Sequence, residues 1–217
     1  MLRLRDGLSW CLCDERIVLL DIDADRYFAL PPELEADFRS WASGTDNYPG
    51  PAGHGLLALG LLVPGRGGGG RGAAAIEPAL WDLLPEPSAV AGPLDLLEAI
   101  AAQIGARWSL RRRKLVNLLD ALRARPGATP SPQTQRRAMR IASAFERSSL
   151  FLPKTDRCLP RALAAWSMCR RAGIAASLVF GVRTDPFAAH SWVQLGESVL
   201  VGDFEQVRLF TPILVVR

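Results

Sequence analysis

No apolar run in this sequence approaches the roughly 20 residues that cross a bilayer. The longest, GLLALGLLV at 55–63, is far shorter, and the opening MLRLRDGLSWCLCDER meets a charge at Asp6 before any signal-peptide core could form. The expected location is cytoplasmic, with no membrane partner. Cysteine is scarce: Cys11, Cys13, Cys158 and Cys169 are too few for a disulfide scaffold in 217 residues and are expected to be reduced. Histidine is scarcer, with only His54 and His190. Cys11 and Cys13 make a single C-x-C with His54 as the one further candidate ligand nearby, so no metal site is expected. RGGGGRG lacks the G-K-[ST] of a phosphate-binding loop, and no cofactor is expected.

The charged fraction of 22% against a hydrophobic fraction of 49% excludes a mainly disordered chain. The length suits one large domain or two small ones. A formal charge of +4 raises the question of nucleic acid, and SLRRRKLVNLLDALRARP at 109–126 is the obvious segment. Wound as a helix, it lines up Leu110, Leu115, Leu118, Leu119 and Leu122 with the basic residues mostly off that stripe, which is an amphipathic helix with a solvated basic face. No aromatic residues interleave the cations, and no nucleic-acid partner is expected.

Three strand patterns come first, at 7–13, 16–22 and 26–30, separated by the turn-forming DE and DAD. They predict a small three-stranded antiparallel sheet. PPELEADFRSWAS follows with Leu34, Phe38 and Trp41 at helical spacing, and GPAGHGLLALGLLV offers a second short helix closing on Gly60. The glycine-rich PGRGGGGRGAAA at 64–75 reads as a linker between domains 1–72 and 73–217. Beyond it the periodicity predicts helices near 93–107, 109–125 and 133–149. A further helix over 155–173 has Thr155 or Asp156 as cap, Pro160 in its first turn and Gly173 as its stop. Strand patterns at 175–183, 189–195 and 198–204 complete an α+β fold with helices packed on an antiparallel sheet.

Cys158 falls in the first turn of the 155–173 helix, among unpaired backbone N–H groups at the positive end of the helix dipole, a position that favours a thiolate. His190 opens the next strand but one. If 189–195 and 198–204 form a hairpin through Gly196 and Glu197, Asp203 comes close to opposite His190. Cysteine, histidine and acid in this order are the parts of a Cys-His-Asp nucleophilic site. Cys169 lies roughly 16 Å along the helix from Cys158 and cannot pair with it. Spacing alone also admits a core cysteine and a structural histidine.

The wording of the segment is more specific. CLPRALAAWSMCRRAGIAASLVFGVRTDPFAAHSWVQLGESVLVGD resembles the transglutaminase-like leader peptidases of lasso-peptide biosynthesis, the B proteins of those clusters. Their C-L-x-R-[SA]-L opening meets Cys158, Leu159, Arg161 and Leu163, and their R-R-x-G helix end meets Arg170, Arg171 and Gly173. The strand pair G-V-R-x-x-P-F-x-A-H-[AS]-W-V meets Gly181 through Val193, and the trailing aspartate meets Asp203. Ala162 stands where serine is common, Ser191 where alanine is common and Gln194 where an acid is common. The resemblance implies a transglutaminase/papain-like domain with Cys158, His190 and Asp203 as the catalytic residues.

VLLDIDADRYFAL, with a helix after it and LLALGLLV to close, is similar to the winged-helix-like leader-recognition module of ribosomal-peptide pathways. That likeness implies that a precursor's leader peptide adds as a strand along Arg26, Tyr27, Phe28, Ala29 and Leu30. Together the two resemblances imply a cysteine peptidase that holds a lasso-peptide leader and cuts it off. Macrolactam formation would fall to a separate, asparagine-synthetase-like cyclase as partner. The same site could instead pass its thioester to an amine as an acyl transferase, and a non-catalytic leader-binding scaffold is the third reading.

Overall fold

The computed structural model describes residues 2–44, 53–65, 74–83, 89–123, 132–152 and 158–217. The first region holds β1 (Leu2–Leu4), β2 (Leu8–Cys13), β3 (Arg16–Asp21), β4 (Arg26–Ala29), α1 (Pro32–Ser43), α2 (Gly53–Ala58) and β5 (Leu62–Pro64). Strands β2, β3 and β4 form the expected antiparallel meander, with β3 in the centre. The DE turn works because Asp14 and Glu15 both take positive φ, at 46° and 61°, the backbone that a tight hairpin requires. GLLALGLLV is helical only in part: the chain leaves α2 at Gly60, φ 65°, and β5 pairs antiparallel with β1.

The run Ile17 to Leu20 is buried without a break because the meander is covered on both faces. Ile17 and Leu19 pack with Phe38 and Trp41 of α1 and Leu56 of α2. Cys11, Cys13, Val18, Leu20 and Ile22 face the other way, into the main core. Continuous burial of this kind replaces the one-sided alternation of an exposed meander.

The second region holds β6 (Trp81–Asp82), α3 (Pro93–Arg112), α4 (Leu115–Arg123), α5 (Pro132–Ser148), α6 (Cys158–Arg171), β7 (Ser177–Thr184), β8 (Phe187–Leu195), β9 (Ser198–Val201), α7 (Phe204–Val207) and β10 (Thr211–Val216). Its sheet runs β10-β7-β8-β9-β6, antiparallel except for β6 on β9. Helices α3, α5 and α6 cover one face, where Ala144, Phe145, Leu163 and Trp166 meet Leu178, Phe180 and Val193. Val179, Trp192, Val199 and Val207 form a smaller cluster on the other face with Phe210. The main core takes in Ile213 and Val216 of β10 beside the N-terminal residues just named, so the two regions share one apolar interior. The Cys13 thiol donates to the Val182 carbonyl at 3.6 Å across that contact.

Two expectations change. The break between the third and fourth helices falls at Arg113, not near residue 108: α3 runs through Trp108 and Ser109, and Arg113 turns extended at φ −133° and ψ 147°. The basic run therefore occupies a helix corner, with Arg111 and Arg112 in the last turn of α3, where the dipole favours cations. The strand expected over 198–204 stops at Val201. The linker boundary at 72 and the caps Thr155 and Asp156 lie outside the described residues. Among those described, no helix is long and apolar enough to cross a membrane.

Candidate active site

Cys158 is the first residue of α6 and half-buried. Pro160 sits in the first turn, where its missing N–H costs no helical hydrogen bond, and Arg170 and Arg171 close the last turn. His190 is the fourth residue of β8, half-buried, with Gly181 of β7 as its cross-strand partner. Two rings neighbour its own: Trp192 at 6.3 Å with planes 19° apart, and Phe210 at 5.2 Å and 31°.

Trp192 is itself fixed. Its indole N–H donates to Gln194 Oε1 at 3.1 Å, and Gln194 Nε2 donates to the carbonyls of Glu77 at 2.6 Å and Gly196 at 2.7 Å. Gln194 is buried, and both polar atoms of its amide are hydrogen-bonded.

Asp203 does not lie on a strand. The β8–β9 hairpin turns through Gly196 and Glu197 as expected, but a bulge falls between Val193 and Gln194 and the ladder ends at Val193 and Val201. Gly202 then takes φ 157° and Asp203 becomes the N-cap of α7, accepting the Glu205 N–H at 3.0 Å. The adjacent Phe204 N–H donates to Asp82 of β6 at 2.9 Å. Asp203 reaches the site from a helix start beyond the ladder.

The three residues nonetheless share one cavity. Cys158, His190 and Asp203 line one cavity of about 400 Å³ together with Arg161, Ala162, Ser191 and Gln206. Two polar atoms around it, His190 Nε2 and Ser191 Oγ, are buried without a hydrogen-bond partner, and buried polar groups left unpaired call for a specific explanation. Burial holds the His190 pKa below the ordinary 6.5, and the negative charge of Asp203 pulls in the opposite direction. A lowered pKa favours the neutral imidazole, the form that can accept a proton. Arg161 is buried three residues after Cys158, donating to the Phe145 carbonyl at 2.7 Å and to Ser148 Oγ at 3.3 Å.

Arg26, Tyr27, Phe28, Ala29 and Leu30 lie outside this lining. Arg26 to Ala29 form β4, an outer strand whose neighbour is β3. Arg26 stacks over Phe28 at 5.3 Å, and Leu30 is buried in the N-terminal core. Tyr27 faces the second region: its ring meets Phe187 of β8 at 6.0 Å, and burial pushes its phenol up to about 12, with smaller contributions from the charges of Asp25 and Cys158. Sequence reasoning missed the aromatic seat of His190, because Phe210 comes from the turn before β10 and carries no periodic signal. It also gave no role to Gln206 or Arg161, although Arg161 at three residues from Cys158 was open to helical reasoning.

Among the described residues no group of three or more histidines, cysteines or acids gathers as a metal site. A family model described as transglutaminase-like superfamily matches residues 100–215, more than half of the chain. The chain belongs to the transglutaminase-like superfamily. No curated protein and no solved structure matches it significantly. Members of the superfamily are typically cysteine-dependent enzymes, and the matched span contains Cys158, His190 and Asp203.

Proposed function

We propose that the protein is a cytoplasmic cysteine peptidase that removes the leader from a ribosomally made lasso-peptide precursor. The observation that carries this reading is the single cavity lined by Cys158, His190 and Asp203 at the start of α6. His190 takes the thiol proton and the sulfur of Cys158 attacks the scissile carbonyl, whose π electrons move to the oxygen. Backbone N–H groups at the start of α6 hold that oxyanion. Collapse returns the His190 proton to the leaving amine and leaves a thioester, which water attacks with His190 again as base. Asp203 orients the imidazole and offsets its positive charge.

The N-terminal region acts as a winged-helix-like recognition module, and the leader adds as a strand to the outer edge of β4 along Arg26 to Leu30. Its released core passes to a separate cyclase as partner, with a free N-terminus. Supporting this are the motif wording around the site and the position of β4 as an outer strand.

Incubating the purified protein with its precursor and following the products by mass spectrometry tests the reading. Wild type should release the leader and Cys158→Ala should not, while the variant retains leader affinity. A product that carries a new amide instead of a free carboxylate means acyl transfer at the same site. Leader binding without any cleavage by the wild type means a scaffold.

A further inference from the structure

A second concavity of about 310 Å³ lies beside the catalytic cavity, between the C-terminal half of α3 and the first turn of α6. Pro160 and Arg161, two and three residues past Cys158, form one wall, and Arg161 lines both spaces. The other wall is Ile104, Arg107, Trp108 and Arg111 of α3.

We propose that this groove binds the part of the substrate that follows the scissile bond and selects a carboxylate side chain within an apolar stretch; this rests on the peptidase reading above. Ile104 and Trp108, four residues apart and so on one helix face, remain 58% and 56% exposed. A large aromatic left that open beside a reaction cavity is a contact surface awaiting a partner. Arg112 stacks on the Trp108 ring at 3.5 Å and braces it.

Charge gives the selectivity. Arg107 and Arg111 are again four apart and exposed, and neither makes an ion pair or a hydrogen bond with a described residue. Elsewhere on the surface, Arg16, Arg140, Arg171 and Arg208 each reach a carboxylate. Two unpaired guanidinium forks flanking an apolar floor fit an acidic side chain in bidentate geometry, which a lysine pair would not impose. The lining takes nothing from residues 1–65, so the groove is separate from the β4 edge and remains open when the leader lies there. Continuity through Arg161 makes the occupant the same peptide on the far side of the cut.

The test uses the full chain with Cys158→Ala and fluorescence anisotropy of two labelled ten-residue peptides, one alternating leucine and glutamate, the other leucine and glutamine. The acidic peptide should bind about tenfold more tightly, since each solvent-facing ion pair supplies at most about a fivefold effect. Arg107→Gln with Arg111→Gln should abolish that advantage, and Trp108→Ala should weaken both peptides alike. In the cleavage arm, replacing the precursor's carboxylates beyond the scissile bond by amides should raise KM about tenfold for wild type and leave the double variant unchanged. Equal binding of the two peptides, or an advantage that survives the double substitution, overturns the proposal. An arginine-dependent preference in a protein that cleaves no precursor leaves carboxylate selection standing and removes the peptidase reading. Cleavage indifferent to those carboxylates does the reverse.

Discussion

Gly181 is the position where one added methyl group tests how His190 is held. It pairs with His190 across β7 and β8. A Cβ built there would stand 2.7 and 2.9 Å from the Trp192 ring and 3.0 Å from Phe210 Cβ, the two residues whose rings neighbour the imidazole. Trp192 cannot easily retreat, because it is 1% exposed and its N–H is tied to Gln194. Gly181→Ala must therefore displace one or both rings, and overpacking of this kind costs about 1–3 kcal/mol. In a domain of this size about 2 kcal/mol lowers Tm by roughly 4–8 °C. Activity should fall further than stability, since a shift of about 1 Å in a catalytic group costs on the order of a hundredfold in rate.

Gly60→Ala is the control. Gly60 has open space around the position of a Cβ but takes φ 65°, so the substitution strains the turn between α2 and β5 by about 1–2 kcal/mol without touching either ring. Differential scanning fluorimetry and kcat/KM for the proposed precursor cleavage, measured on both variants, separate the effects. Gly181→Ala should lose Tm and about a hundredfold in kcat/KM; Gly60→Ala should lose Tm alone. If Gly181→Ala melts early yet cleaves within twofold of wild type, the aromatic seat does not position His190.

Two other outcomes follow from the same site. His190 has a folded pKa below 6.5, so its contribution to stability is complete above pH 6.5 and is lost as pH falls through the folded value. His190→Ala should flatten the decline of Tm between pH 7 and pH 5. Asp203→Asn removes the charge that raises that pKa, and the acid limb of kcat/KM should move to lower pH while the plateau drops by about a hundredfold or more; an unmoved limb would disconnect the two residues. The thiols also divide: burial pushes Cys11 and Cys169 up to about 12, so one equivalent of iodoacetamide at pH 7.5 should modify Cys158, and Cys169→Ala should change neither labelling nor cleavage. Peptide mapping that finds Cys169 alkylated first would contradict the burial argument.

The elements nearest the chemistry were readable because their signals are local. Cys158 at a helix start and His190 on an alternating strand follow from Pro160, Gly173 and the period of residues 187–195. Asp203 was readable as an acid but not as a helix cap, since the bulge at Val193 and Gln194 depends on how β9 fits its neighbours rather than on its own sequence. Phe210 and Gln194 complete the seat of His190 through contacts that join β8 to the turn before β10 and to residue 77, and such distant pairings leave no periodicity. The turns and strands of the meander are legible in the sequence, and the unbroken apolar run Ile17 to Leu20 reflects burial on two faces that only the fold reveals.

That two-sided burial bears on the division at residue 72. Val18, Leu20 and Ile22 lie in the same core as Phe180, Ile213 and Val216, and each fully buried aliphatic side chain stabilises the contact by about 1.5–3 kcal/mol. Two hydrogen bonds cross it as well, from the Cys13 thiol to Val182 and from the Thr184 hydroxyl to Asp14. A protease site inserted into GRGGGG at 65–70 and cut in the folded protein should therefore leave both fragments together: they should co-elute from a sizing column at micromolar concentration and retain cleavage activity. Each region expressed alone would expose one side of this core and should aggregate or bind a hydrophobic dye. Replacing Val18 with aspartate before nicking should release the fragments, because an unpaired carboxylate would be buried against the main core. Clean separation of the nicked wild type into two folded, soluble pieces would mean that the shared interior contributes little, and that the β4 edge and the Cys158 cavity are coupled only through the chain.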